Sequence, residues 1–197
     1  MSIVSIDAAA LRDVGTVDMQ TDRLTLRRFR YADAPAMYAN WAANPLVTHY
    51  VTWQPHRTIK ETENLLDAWL SDYDRPHTYR WAIERQQDRR LIGSIDVVRF
   101  DATLSAAEIG YCSDPSTWGE GLMTEALDAV INFLFNTVRV RRVHARHDTQ
   151  NKASGRVMQK AGMRFEGILR ASFADKDGTL KDMAHYALLR EERNQNI

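Results

Sequence analysis

The chain has little cysteine, no net charge and no long hydrophobic run. Its one cysteine, Cys112, excludes an internal disulfide and fits a reducing compartment such as the cytoplasm. Lysine and arginine together number 26, as do aspartate and glutamate, so the chain lacks the basic excess that bulk nucleic-acid binding requires. No apolar run is long enough to span a membrane, and the N-terminus lacks the layout of a signal peptide. We therefore expect a cytoplasmic protein with no membrane or nucleic-acid partner.

The composition is typical of a single globular domain. Hydrophobic residues make up 44% and charged residues 26% of 197 residues, which allows one sizeable core. We expect a domain over residues 21–190, with a leader or extra element at 1–20 and a tail at 191–197. His144, His147 and His185 do not form a metal-binding motif, so no metal is expected.

Hydrophobic periodicity predicts an α/β (α+β) fold with a mixed, largely antiparallel sheet and helices on both faces. Asp33 is expected to cap the first helix, and Thr58 with Glu61 is expected to form a capping box on the second. The Asp177-Gly178 pair predicts a hairpin turn near the C-terminus. The expected strands are residues 23–29, 79–85, 91–100, 105–112, 142–148, 164–173 and 179–189, and the expected helices are 33–44, 58–73, 121–138 and one beginning at 151.

The most informative segment, residues 114–127, joins a predicted strand to a predicted helix. The first N–H groups of a helix have no internal partners, and the helix dipole favours an anion there. Gly119 and Gly121 allow the backbone to approach a ligand closely. No Lys-Ser or Lys-Thr follows the second glycine, so the loop is not a P-loop, and it lacks the third glycine of a dinucleotide fingerprint. These residues alone predict either a phosphate-binding loop or an ordinary strand-to-helix turn.

Two further segments bear on this choice. In residues 151–165, Ser154, Val157, Met158 and Ala161 share one helical face, after a capping Asn151 and before a stop at Gly162. The other segment, Ala-Glu-Ile-Gly-Tyr at 107–111, lies on the strand before the glycine loop.

Together the three segments resemble the GNAT superfamily of N-acetyltransferases, over residues 21–190. The family's pyrophosphate loop has Gln or Arg, two residues, Gly, one residue, then Gly or Ala. Trp118, Gly121 and Met123 hold these positions here, so the first and last depart from the strict pattern. The form Trp-Gly-x-Gly-x-x-Thr-Glu-Ala is similar to that of the RimJ/RimL-like branch, which acetylates ribosomal-protein N-termini.

The resemblance implies a six- to seven-stranded sheet whose splayed central strand pair holds the acyl-CoA arm. It implies acetyl-CoA as co-substrate and direct attack by the amine, with no covalent acyl-enzyme. A backbone N–H of residues 111–113 would stabilise the oxyanion. Arg156 would lie near the adenosine phosphates or be a solvated helix residue. The implied cofactor-binding residues are Tyr111, Cys112, Ser113, Trp118, Gly119, Glu120, Gly121, Leu122, Met123, Thr124, Asn151, Ser154 and Arg156.

Glu108 and Ser154 are the catalytic candidates. Glu108 shares a strand face with Gly110 and Cys112, and a carboxylate among apolar neighbours would have a raised pKa suited to a general base. Its alternative role is structural, bonding an arginine or the backbone. Ser154 would protonate the departing thiolate, directly or through water, or would simply be small enough to admit the pantetheine arm. Cys112 is expected to be a buried thiol, with no catalytic histidine at a diagnostic spacing.

The acceptor side is predicted from aromatic residues in the first half of the chain. We expect Trp41, Tyr50, Trp53 and Trp81 to bind the acceptor, with specificity set near residues 49–56. The branch implies a protein or peptide N-terminal amine. A small amine such as a polyamine, an amino acid or an aminoglycoside is the alternative, and a non-catalytic acyl-CoA-binding module is another. A homodimer is possible by analogy with the branch.

Overall fold

A computed structural model describes residues 11–194 of the chain, and its centre is an eight-stranded sheet. The strands are β1 Met19–Gln20, β2 Leu24–Arg27, β3 Arg80–Arg85, β4 Leu91–Asp101, β5 Ala106–Ser113, β6 Arg142–Asp148, β7 Arg164–Ala174 and β8 Leu180–Leu189. Their spatial order is β1-β2-β3-β4-β5-β6-β8-β7, and of the neighbouring pairs in this described part only β5 and β6 run parallel. The predicted mixed, largely antiparallel sheet is therefore confirmed.

The expected count of six to seven strands is wrong, because β1 adds an eighth. Met19 pairs with Leu26, and Gln20 pairs with Thr25, so part of the predicted leader joins the sheet edge. The rest of that leader, residues 1–10, lies outside the described residues.

Helices cover both faces of the sheet, as predicted. The helices are α1 Ala34–Met37, α2 Pro45–Thr48, α3 Ile59–Asp72, α4 Leu122–Phe133, α5 Lys152–Lys160 and α6 Arg190–Asn194, with π-helical turns at Tyr38–Ala42 and Leu134–Val138. One core packs α4 and α5 against the sheet through residues such as Val130 and Met158, and the other packs α1 and α3 through Met37 and Leu66. No helix within residues 11–194 has the length and apolar character to cross a membrane.

Asp33 and Thr58 occupy the N-cap positions of α1 and α3, as predicted, but neither makes a side-chain capping bond there, and the predicted capping box is wrong. The Asp33 carboxylate accepts from the Arg27 guanidinium and from the N–H of Arg30, because a buried arginine beside it needs a counter-charge. Thr58 makes no side-chain cap to α3, and Glu61 accepts from the N–H of Arg57 instead of that of Thr58. The predicted Asp177-Gly178 turn does join β7 to β8, with Gly178 at φ +79°.

Candidate active site

The two parallel strands in the middle of the sheet separate into a wedge. They pair at Ala106 with Arg142, Ala107 with Val143 and Glu108 with His144, and pairing stops there. β5 nevertheless continues to Ser113 and β6 to Asp148, so a gap opens beyond Glu108. This gap is the splayed strand pair that the sequence predicted. Its vertex is the Glu108–His144 pair.

A cavity of about 470 Å³ lies at the open end of the wedge. It is lined by every predicted cofactor-binding residue except Glu120. The Glu120 side chain points away toward Arg85, at 3.7 Å, and its carbonyl accepts from Arg23. One continuous loop and one helix therefore supply most of the cavity wall.

The start of α4 gives this cavity its anion-binding character. Gly121 is the N-cap of α4 at φ +78°, in the left-handed region that favours glycine, and Gly119 is at φ +86°. The following residues, Leu122 to Thr124, lie in the first helical turn and line the cavity. Their N–H groups have no partner within the helix, so they are available to phosphate oxygens.

The first turns of α5 form the opposite wall of the cavity. Asn151 caps the helix by accepting from the N–H of Ser154, as predicted. Lys152, Arg156 and Lys160 all line the cavity, and their spacing of four residues places them on one stripe. Sequence reasoning found only Arg156 of these three, although the four-residue spacing was the available signal. The stripe supplies positive charge for an anionic ligand.

Ser154 of α5 is joined to strand β5 by a tyrosine. The Tyr111 hydroxyl lies 3.0 Å from the Ser154 carbonyl and 2.9 Å from the Ser154 Oγ. Burial raises the pKa of the Tyr111 hydroxyl, and the bond with Ser154 opposes that rise. The sequence predicted a ligand role for the Tyr111 backbone only, because contacts between β5 and α5 have no local signature.

Glu108 does not have the apolar neighbours that the sequence predicted. Its carboxylate is 12% exposed and forms an ion pair with Arg146, whose Nε lies 2.9 Å from Oε1. Arg146 is on the neighbouring strand β6, two residues beyond His144, which explains why the pair is absent from local patterns. Glu108 therefore has the arginine partner of the structural role that the sequence left open.

Further titratable groups lie on the Glu108 face of the sheet. His144 and His185 both have a lowered pKa, chiefly because of burial. Asp96 on β4 is opposite Gly110, and burial raises its pKa to about 6 against the opposing charge of Arg80. Sequence reasoning assigned none of the three to this face, because each comes from a different strand.

Of the four aromatic residues predicted to bind the acceptor, three do not line the cavity. Trp41 and Trp81 are core residues with 1% and 0% exposure, and the Trp81 Nε1 donates to the Val17 carbonyl. Trp53 packs partly buried against the core beside α3, and only Tyr50 lines the cavity. Large aromatic side chains bury readily, and composition does not separate core from pocket. Leu46 and Val47 of α2, and Val51 after it, also line the cavity.

Cys112 is a buried thiol, as predicted. It contacts the Ser94 Oγ at 3.4 Å, and burial raises its pKa to about 12. A thiol with so high a pKa is not a nucleophile at neutral pH. Within residues 11–194, no group of three or more potential ligand side chains is arranged to hold a metal ion.

Comparison with known proteins connects this geometry to one family. Residues 23–164 match the family model described as the acetyltransferase (GNAT) domain. The uncharacterized N-acetyltransferase YoaA of Bacillus subtilis is 31% identical over 172 residues, covering 87% of this chain and 96% of that protein. The ribosomal protein uS5-alanine N-acetyltransferase of Escherichia coli is 26% identical over 187 residues, covering 89% and 92%.

Solved structures agree on the fold. A GNAT-family acetyltransferase from Bacillus anthracis superposes with a TM-score of 0.79 at 24% identity, covering 89% of this chain and all of that one. RimL, the ribosomal L7/L12 α-N-protein acetyltransferase, was solved with coenzyme A and superposes with a TM-score of 0.80 at 21% identity, covering 89% and 99%. The predicted fold class is confirmed by these neighbours.

Proposed function

Because the chain belongs to the GNAT acetyltransferase family, and is thus an N-acetyltransferase with acetyl-CoA as co-substrate, we propose that its acceptor is the primary amine of a protein or peptide N-terminus. One observation carries the proposal. The wedge has an anion-binding helix start at its open end and a carboxylate, Glu108, at its vertex. A phosphate-bearing acyl donor would therefore bind at the open end of the gap, and a cationic amine would approach the carboxylate at its vertex. Two similar proteins support this acceptor class by their names: one is a ribosomal protein uS5-alanine N-acetyltransferase, and the other is a ribosomal-protein-serine acetyltransferase.

The cavity walls would hold the donor through backbone and basic groups. The free N–H groups of Leu122 to Thr124 would bind pyrophosphate oxygens, and Lys152, Arg156 and Lys160 would attract the remaining phosphates. Asn151 and the strand residues 111–113 would contact the pantetheine arm and the thioester carbonyl. Acetyl-CoA supplies the activated acetyl group.

Two side chains would take part near the thioester. Ser154, on the cavity wall, would protonate the departing thiolate directly or through water. Glu108, at the vertex, would meet the incoming amine, either taking a proton from it or holding its ammonium form.

A small amine is the second candidate acceptor, because the turn after β7 restricts the acceptor side. Lys176 donates to the Thr48 carbonyl at 2.7 Å, and Gln54 donates to Asp177 at 3.1 Å. These two bonds tie the turn to α2 and to the segment after it, which would leave less room for a folded protein on the acceptor side.

The proposal is tested by thiol release from acetyl-CoA with a panel of peptides, polyamines and aminoglycosides. We expect peptide N-termini to give the highest kcat/KM. Glu108→Gln removes one charge-assisted contact, so kcat/KM should fall about 10- to 100-fold while calorimetric CoA affinity is unchanged. Glu63→Gln, which removes an ion-paired carboxylate on α3, is the matched control and should keep wild-type kinetics. Preference for a polyamine would select the small-amine candidate, and CoA binding without any turnover would refute both.

A further inference from the structure

A histidine stands beside Glu108 at the vertex of the wedge. Glu108 and His144 are the last paired residues of β5 and β6 before the strands separate. Side chains at paired positions of neighbouring strands point to the same face of a sheet. The His144 imidazole therefore lies on the acceptor face, next to the predicted catalytic carboxylate.

The ring nitrogens of His144 are free to exchange a proton. Within residues 11–194 no hydrogen bond reaches them, and neither nitrogen is sealed from solvent. His185, which lies on the same face opposite Arg146, differs in this respect, because its Nε2 is buried without a partner. Glu108 differs in another way, since the Arg146 guanidinium is bonded to Oε1. A carboxylate beside a fixed cation suits binding of an ammonium group better than removal of its proton.

We propose that His144 is the general base of the acetyl transfer and that Glu108 holds the acceptor ammonium beside it. The inference rests on the proposed function and identifies the proton acceptor of that same site. A ring nitrogen of His144 takes one proton from the ammonium, and the neutral amine forms the new C–N bond as the C–S bond breaks. The thiolate leaves with the electron pair of the C–S bond and receives a proton from Ser154 or water. Ser154 or water then regains a proton from the acylated nitrogen. The imidazolium then returns its proton to solvent.

The charges around His144 agree with a neutral ring at neutral pH. Burial lowers the pKa of His144, and Arg142 on β6 and His185 on β8 lower it further. Glu108 on β5 and Glu166 on β7 act in the opposite direction but do not cancel the lowering. A histidine with a lowered pKa is unprotonated under these conditions, which a base requires.

Asp96 is the rival base on this face, because its pKa is raised to about 6. It belongs to β4, one strand farther from β6, and its carboxylate faces Arg80 at 3.8 Å. Arg80 in turn stacks over Trp69 of α3, so the Asp96 carboxylate is paired with a cation that is held against that helix.

The test is the pH dependence of kcat/KM for His144→Gln, with an alkyl-amine acceptor that the wild type acetylates. We expect a loss of about 100-fold at neutral pH, typical of a missing general base, with CoA affinity unchanged. The residual rate should rise with pH as the acceptor loses its own proton. A hydrazide acceptor, whose amino group is already neutral, should recover most of the wild-type rate. His77→Gln is the matched control, because His77 stacks on Phe100 outside the wedge, and it should stay within about 2-fold of the wild type.

Each other outcome overturns the assignment. An unchanged pH profile in His144→Gln, or an equal loss at every pH and with the hydrazide, would show that His144 does not accept the proton. Loss of the acidic limb in Asp96→Asn would transfer the role to Asp96. Failure of the wild type to acetylate any amine would instead refute the proposed function, so the two failures are distinguishable.

Discussion

The two sides of the wedge are built in different ways. The proposed donor side comes from one loop-and-helix segment, 117–124, and from α5 with its cap, 150–160, and much of what it offers is backbone N–H and lysine or arginine charge. The proposed acceptor side combines Glu108, His144, Asp96 and the turn after β7, which come from four separate parts of the sheet. A backbone site can be specified by local sequence, whereas a side-chain site depends on how distant strands are registered.

The two sides also differ in how they are held in place. On the acceptor side, α1 is tied to the sheet by Arg27, which is 7% exposed and bonds Asp33 and Glu84 at 2.8–2.9 Å. On the donor side, the corresponding ion pair, Arg23 with Glu125, is half exposed at the arginine. A buried ion pair is costly to break, and an exposed pair contributes little.

The largest expected effect on stability is that of Arg27→Met, which tests whether the buried ion pairs hold the acceptor side more firmly than the donor side is held. The substitution leaves the buried Asp33 carboxylate without its ion-pair partner and leaves Glu84 paired with Arg89 alone, so the free energy of unfolding should fall by about 3–5 kcal/mol. Urea unfolding followed by circular dichroism measures it.

Arg23→Met is the matched control on the donor side. It removes an arginine whose side chain is 49% exposed, so the loss should stay below about 1 kcal/mol. Equal losses in the two variants would mean that the buried network does not anchor the acceptor side.

A smaller effect, confined to the donor side, is expected from Gly121→Ala. An alanine at φ +78° carries about 1–2 kcal/mol of strain, and relief of that strain would tilt the first N–H groups of α4 away from the ligand. We expect CoA affinity to fall about 10-fold, measured by calorimetry, with the acceptor KM unchanged.

Gly162→Ala controls for the strain alone. Gly162 has φ +84° at the end of α5, outside the cavity, so this variant should lose similar stability and keep its CoA affinity. A parallel loss of affinity in both variants would argue against a role for the α4 start in binding.

The sequence predicted the donor side because its signals are local. Gly121 at a strand-to-helix junction, Asn151 as a cap and Gly162 as a stop each act within a few residues, and each was found where expected. The order of strands and helices was accessible for the same reason, apart from β1, α2 and α6, which are too short to show a period.

The acceptor side was predicted poorly because its contacts are distant in sequence. The Arg146 partner of Glu108 is on another strand, and its approach depends on the register of β5 against β6. Trp81 was assigned to a pocket although it is completely buried, since an aromatic residue in an alternating strand carries no mark of which face it will occupy.

The smallest effect concerns the contact that joins β5 to α5. Tyr111→Phe removes only a hydroxyl, which bonds Ser154 at both its carbonyl and its Oγ, so stability should fall by about 0.5–1.5 kcal/mol. Because Ser154→Ala removes the other half of the Oγ contact, the double variant should lose less than the sum of the two single losses, by about 0.5 kcal/mol or more. Ser71→Ala is the control, because the Ser71 hydroxyl bonds only within α3, and its effect should add to that of Tyr111→Phe. Additive losses for Tyr111 and Ser154 would mean that β5 and α5 are not bridged in solution and that Ser154 is positioned by α5 alone.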